Sequence, residues 1–320
     1  MPSYSPPPGS AGADDFIIHT KSLARTFKDT VAVCDLNLSI QRGEIFGLVG
    51  PDGAGKTTTL RLLAGLLNIT SGEATVAGHD LRTASEAIKP HIGYMAQQFS
   101  LYGELSVLEN LTFFADLFGV VGEFRRAQLA HALAFSRLEQ FQDRRAAHLS
   151  GGMQKKLALA CTLIHNPDIL LLDEPTTGVD PVSRREFWDI LTELHLAGTT
   201  ILISTPYMDE AERCQRVGLM YVGQMMLCET PTQIRNMLHG ELVELRPEDG
   251  RAAESLLQSL PGVIEVQTYG ETLQVFLDDS DGRIPELEAA LSGAGIACTG
   301  IRRAPVRMEQ AFISLIRGME

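Results

Sequence analysis

The run GPDGAGKTT, Gly50 to Thr58, follows the apolar segment IFGLV and opens the helical pattern TTTLRLLAGLL. A GxxxxGK[ST] match in that strand, loop and helix setting is a phosphate loop, and it commits the chain to an α/β architecture around it. Glycines at 50, 53 and 55 let backbone N–H groups turn inward as a nest around phosphate oxygens, and the helix N-terminus adds positive potential. Lys56 is placed to reach β- and γ-phosphates, and Thr57 to put a hydroxyl on Mg²⁺. The whole run, Gly50, Pro51, Asp52, Gly53, Ala54, Gly55, Lys56, Thr57 and Thr58, is therefore the expected nucleotide-binding loop. The carboxylate of Asp52 would repel a triphosphate, so it is expected to point to solvent.

A second motif completes such a site. Ile169–Pro175 reads ILLLDEP, an apolar strand ending in two acids. A strand that delivers Asp173 at its carboxyl edge can hold Mg²⁺ directly or through water, and Glu174 can then orient and deprotonate an attacking water.

Around these motifs, short apolar runs alternate with helical patterns from Phe16 to about His239, as in an α/β fold with a mainly parallel sheet. Ile45–Val49, Ile169–Leu172, Thr199–Ile203 and Val217–Tyr221 read as core strands. Val107–Phe118, Ala127–Phe141 and Gly151–His165 follow one another as helices with no strand signal between them, which predicts an inserted helical block over about 98–165. From Glu241 the units shorten into the order β-α-β-β-α-β, followed by a last amphipathic helix, MEQAFISLIRG. That order predicts a small α+β, ferredoxin-like domain over 240–320 beside an α/β domain over 15–239. Residues 1–14, rich in proline, read as a disordered lead-in.

Composition narrows the function. The 320 residues carry 27 Lys and Arg against 40 Asp and Glu, a formal net charge of −13. So acidic a chain lacks the electrostatic footprint of a nucleic-acid-binding protein. No apolar window approaches the ~18–20 residues that cross a bilayer, and no secretory signal opens the chain. Five cysteines without CxxC spacing read as reduced thiols of a cytosolic protein.

A third motif distinguishes among phosphate-loop classes: LSGGMQKKLALA, Leu149 to Ala160, a Ser-Gly-Gly turn running straight into a helix. With the two motifs above, in this order, the chain resembles the nucleotide-binding subunit of ATP-binding cassette (ABC) transporters over about 225 residues. The resemblance implies a P-loop ATPase core in which two subunits sandwich two ATP molecules. Ser150, Gly151 and Gly152 would then meet the γ-phosphate bound to the other subunit, through the anion-binding end of a helix. It also implies that Phe27 stacks on adenine where the family usually has tyrosine, the other reading being a strand-edge core aromatic. Gln97 matches the glutamine that touches Mg²⁺ and water, with Gln98 as the competing choice. Asp180 matches a loop that crosses to the opposite subunit, its other reading being an exposed helix cap, since Pro181 follows.

One departure stands out. After TTILIS the family places a histidine that hydrogen-bonds the γ-phosphate, whereas this chain has Pro206. Proline offers no donor there, so a weakened hydrolytic site is expected, restored by pairing with a different subunit that carries the histidine; the rival reading is a homodimer that is slow or tolerates the proline. The last 80 residues, with YMDEAERC before them, resemble the tails of drug, polysaccharide-lipid and daunorubicin-type exporter ATPases. The resemblance thus implies an ATPase subunit that powers export through a separate polytopic permease, on the cytoplasmic face of the membrane, with ATP and Mg²⁺ and no nucleic acid. The alternative is a regulatory or non-transport ABC ATPase of low turnover.

Overall fold

The computed structural model describes residues 16–98, 101–238 and 240–317. The expected lead-in over 1–14 lies outside them. The chain divides into two compact units at Thr230/Pro231.

Along the first unit run β1 (Phe16–Phe27), β2 (Thr30–Gln41), β3 (Ile45–Val49), α1 (Lys56–Leu63), β4 (Ser71–Val76), β5 (His79–Asp80) and β6 (Ile92–Met95). There follow α2 (Val107–Leu117), α3 (Gly122–Ser136), α4 (Gly151–Leu163), β7 (Ile169–Asp173), α5 (Pro181–Leu196), β8 (Thr200–Thr205), α6 (Met208–Ala211), β9 (Arg216–Tyr221) and β10 (Gln224–Glu229). Six strands form one sheet in the order β10-β9-β3-β8-β7-β6. From β9 to β6 every pairing is parallel, and β10 joins antiparallel at the edge. Strands β3, β7 and β8 are buried along their whole length, which is why they read as continuous apolar runs and not as alternation. Because β8 lies between β3 and β7, the carboxyl ends of all three meet at one edge of the sheet, where open α/β sheets place their ligands.

Two features differ from the sequence reading. Strands β1, β2, β4 and β5 build a separate four-stranded antiparallel sheet, order β2-β1-β4-β5, in place of further parallel strands. Its long hairpin closes at Lys28, whose φ of +49° is left-handed, a turn that no glycine announces. The second helix of the inserted block is α3, which starts and ends about five residues before the periodicity suggested. Arg137 ends it in a left-handed conformation with φ +57°, and the buried Leu138 then turns the chain. The block itself lies between the paired neighbours β6 and β7. Its own core includes Leu111, Leu133, Leu157 and Ile164. Ser106 caps α2 by accepting from Glu109 N, while the Glu109 carboxylate accepts from Ser106 N at 2.7 Å, a reciprocal capping box.

The second unit holds α7 (Pro231–Asn236), β11 (Glu241–Pro247), α8 (Gly250–Gln258), β12 (Val263–Tyr269), β13 (Thr272–Leu277), α9 (Ser280–Gly293), β14 (Cys298–Ala304) and α10 (Met308–Arg317). Its sheet is antiparallel throughout, in the order β12-β13-β11-β14. The division falls before α7 and not at residue 240, because α7 packs on α10. Val243, Leu245, Leu257, Val275, Leu287 and Leu291 form the core beneath α8 and α9. Burying side chains of this size contributes roughly 1.5–3 kcal/mol each.

Candidate active site

At the carboxyl end of β3 the chain turns through Gly50–Gly55 into α1. Gly55 has φ +104°, and a Cβ there would stand 2.6 Å from the Ala32 carbonyl oxygen, so only glycine fits. As the N-cap of α1 it gives no side-chain cap, which leaves the first helical N–H groups free to face an anion. Lys56 is 5% exposed. Its Nζ donates to the carbonyls of Gly50 (2.9 Å) and Pro51 (3.1 Å). A cavity of about 420 Å³ opens over the loop, lined among others by Val31, Asp52, Lys56, Thr58, Gln97 and Glu174. Asp52 and Gly53 are exposed there, and Ala54 is buried beneath.

Asp173, at the end of β7, is fully buried. Its Oδ1 accepts from Thr57 Oγ1 at 3.0 Å and from Ser204 Oγ at 2.8 Å. Its Oδ2 is buried without a hydrogen-bond partner. A buried carboxylate oxygen left bare beside a threonine hydroxyl is costly, and a divalent cation is the partner its chemistry fits. Among the described residues no group of three His, Cys, Asp or Glu could hold a metal. One carboxylate and a hydroxyl suit Mg²⁺, which completes its shell with water and phosphate oxygens.

Glu174 has φ +45°, left-handed for a residue that is not glycine. Such backbone strain, about 1–3 kcal/mol, is held by Glu174 N donating to both the carbonyl (3.1 Å) and the hydroxyl (3.0 Å) of Ser204. The conformation aims the carboxylate at the phosphate loop. Oε1 lies 3.5 Å from Lys56 Nζ, and Oε2 accepts from Gln97 Nε2 at 2.9 Å. Gln97, and not Gln98 beside it, thus meets Glu174. The Gln97 carbonyl accepts from Lys155 Nζ of α4 at 2.9 Å. Burial pushes the Lys155 ammonium below its usual range, and the Asp173 and Glu174 carboxylates pull it back up.

The remaining expected residues sit apart from the loop within this chain. Ser150 caps α4, its hydroxyl accepting from Met153 N at 3.3 Å. A Cβ on Gly152 would overlap the Ser183 side chain of α5, whereas one on Gly151 would meet nothing within 4 Å. Asp180 is an exposed N-cap of α5, accepting from Val182 N (3.1 Å) and Ser183 N (2.9 Å). The Ser183 bonds hold its carboxyl below the usual range. Gly152 and Asp180 therefore meet around Ser183, so the Ser-Gly-Gly turn and the loop before α5 form one surface. Phe27 is 40% exposed at the end of β1, and the Arg25 guanidinium carbon lies 4.4 Å from its ring centroid. It does not line the cavity, although its neighbours across the turn do. Pro206 is exposed immediately after β8.

Sequence reasoning missed Ser204, Lys155 and a buried carboxylate, Glu210, which is 1% exposed. Glu210 accepts from the hydroxyls of Thr176 and Thr205, both at 2.7 Å. These bonds tie the segment after Glu174 to the segment before Pro206. An acidic run just past a strand was visible at Asp209–Glu212, but nothing local set Glu210 inside and the carboxylates of Asp209 and Glu212 outside.

The ABC transporter family model matches residues 33–177. Over 219 residues the chain is 44% identical to the probable multidrug ABC transporter ATP-binding protein YbhF of Escherichia coli, covering 68% of this chain. It spans only 38% of that relative's length. Over 303 residues it is 34% identical to Nod factor export ATP-binding protein I of Burkholderia thailandensis, covering 93% of this chain and 96% of the relative. A dimeric ATP-binding cassette in a post-hydrolysis state, bound to ADP and Pi, superposes with a TM-score of 0.62 at 28% identity, over 67% of this chain and 98% of that one. The cbiO1 protein of Clostridium perfringens, part of an ABC transporter complex, gives 0.64 at 26% identity, over 77% and 96%. With the phosphate loop, the acid pair and the Ser-Gly-Gly helix in one order and one fold, and a relative matched along nearly its whole length, this chain belongs to the ABC transporter family as one of its ATP-binding cassette ATPases.

Proposed function

We propose that the chain hydrolyses ATP to drive export through a separate polytopic membrane permease, at the cytoplasmic face of the membrane. Two nucleotide-binding subunits, identical or different, close on ATP, and its tighter binding to the closed pair drives the change. The reading rests above all on the convergence of Lys56, Thr57, Gln97, Asp173 and Glu174 at the carboxyl ends of β3, β6 and β7. Export is favoured by relatives whose names carry multidrug transport and Nod factor export.

In this reading the Gly50–Thr58 loop binds the phosphates, and Lys56 exchanges its contact with Glu174 for the β- and γ-phosphate oxygens. Thr57, Asp173 and Gln97 would hold Mg²⁺, which neutralises charge on those oxygens. Glu174, oriented by Gln97 and by its left-handed backbone, accepts the proton of the attacking water. Ser150, Gly151, Gly152 and Asp180 act on the nucleotide of the opposite subunit, and Phe27 faces the base. The unit that ends at Thr230 is the ATPase domain, and the unit that begins at Pro231 a ferredoxin-like accessory domain.

Pro206 cannot donate to the γ-phosphate. Loss of one preorganised donor costs ~10²–10³ in rate, so the chain's own phosphate-loop site is slow. It works best beside a subunit that supplies the missing histidine, to which it lends Ser150–Gly152. Steady-state ATP turnover of the purified chain and of Pro206→His tests this: a gain of tenfold or more is expected, and no gain overturns the idea that the proline is limiting. The second reading, a regulatory cassette of low turnover, is also motivated by Pro206. It is the right one if wild type hydrolyses ATP no faster than Glu174→Gln.

A further inference from the structure

Gln310 of α10 donates to Gln274 Oε1 of β13 at 3.3 Å, and Gln274 in turn donates to Glu244 Oε1 of β11 at 3.3 Å. Gln274 and Gln310 are 5% and 4% exposed. They floor a cavity of about 430 Å³ whose rim carries Arg246, Arg302, Arg303 and Arg307. A second cavity of about 310 Å³ shares Glu244, Arg246, Thr272 and Arg302 with it. Where the two meet, the register of β11 against β14 slips between Glu244 and Arg246, and Gly300 of β14 takes φ +72°. Irregularities of this kind bend a strand and re-aim side chains, and they recur beside functional sites.

The four guanidiniums are not equivalent. Arg302 lies 3.0 Å from the Glu244 carboxylate, and Arg303 is paired with Asp281. Among the described residues Arg246 and Arg307 have no ion-pair partner, yet both line the larger cavity. Two carboxylates also line it, Glu244 and Glu309. Glu244 is already engaged by Arg302 and Gln274. In a chain of net charge −13, two unpaired arginines against the one unengaged carboxylate of Glu309 leave a local positive site over a buried amide floor. Arginine is suited to it, because its planar fork binds phosphate oxygens in pairs. A phosphomonoester, at about −1.5 to −2 charge near neutral pH, matches two free guanidiniums better than a single carboxylate does. Tyr269 and Thr272, which also line the cavity, add hydroxyls for a small polar body.

We infer that this cavity is a binding site for a small phosphomonoester, gripped by Arg246 and Arg307, outside the nucleotide site. The phosphate can belong to a free metabolite or to a lipid headgroup, and the test separates these. Full-length protein, its nucleotide site saturated with ADP, is titrated calorimetrically with glycerol 3-phosphate. In parallel it is floated with vesicles of phosphatidylcholine alone or with added phosphatidic acid. Each measurement is repeated on Arg246→Gln/Arg307→Gln and on Arg251→Gln, an exposed arginine of α8 outside the cavity. Equal urea midpoints establish that the variants fold alike. Soluble binding weakened at least tenfold in the double variant and unchanged in Arg251→Gln identifies a free ligand. Flotation dependent on phosphatidic acid and lost only in the double variant, without soluble binding, identifies a headgroup. Absence of both, or binding by the double variant equal to wild type, overturns the inference.

Discussion

Replacing Glu210 tests the reasoning where sequence was silent. Its buried carboxylate accepts two hydroxyl bonds of 2.7 Å, from Thr176 and Thr205, and Arg184 Nε lies 3.9 Å away. Thr205 Oγ1 also accepts from Tyr207 N at 3.1 Å, so its proton is committed to Glu210. Hydrogen bonds to a charged group are worth about 1.5–3 kcal/mol each. Glu210→Ala therefore costs about 3–6 kcal/mol, which for a domain of this size lowers the melting temperature by ~10 °C or more. Glu210→Gln keeps one carbonyl acceptor and, because threonine hydroxyls can rotate to accept, loses about half as much. The assay is urea unfolding of wild type, both variants and the Thr205→Val cycle, with a coupling of at least about 1 kcal/mol expected between positions 205 and 210. Because the bonds brace the segments beside Glu174 and Pro206, ATP turnover of Glu210→Ala also falls on the order of tenfold or more. A loss of stability below about 1 kcal/mol at unchanged denaturant slope would refute the network's role.

Other expectations follow from single contacts. Gly152→Ala pushes a methyl into Ser183 and costs ~1–3 kcal/mol, partly recovered by Ser183→Gly. Gly151→Ala opens onto free space, so urea unfolding changes by less than about 1 kcal/mol while ATP turnover is lost. That pair of outcomes separates packing from contact with a partner's nucleotide, and full turnover in Gly151→Ala would contradict the sandwich. Asp173→Asn removes the charge on the bare carboxylate oxygen, and the Mg²⁺ concentration that half-saturates turnover rises at least about tenfold. EDTA abolishes wild-type turnover, and activity that persists in it would exclude the cation's assigned place. Burial pushes the thiols of Cys161 and Cys214 upward, and Cys228 is buried too. Thiol titration of native protein labels only Cys34 and Cys298 quickly, and fast labelling of all five would contradict the packing.

The phosphate loop, the strand ending in Asp173–Glu174 and the Ser-Gly-Gly helix start were legible because each is one continuous stretch whose chemistry is local. Backbone donors, a lysine and a hydroxyl within nine residues define an anion site wherever the stretch is folded. The buried strands were legible for the same reason, since a strand covered on both faces must be apolar at every position. Tertiary structure decided what depends on residues far apart in the chain. The order β3-β8-β7 brings Ser204 against both acids, holds Glu174 in its left-handed turn and leaves one oxygen of Asp173 bare. It also chose Gln97 over Gln98 as the partner of Glu174 and put Glu210 inside. The antiparallel hairpin of β1 and β2, and the two unpaired arginines over a buried amide floor, were equally hidden. A side chain's environment is set by what the fold lays against it, and that partner lies tens to a hundred residues away.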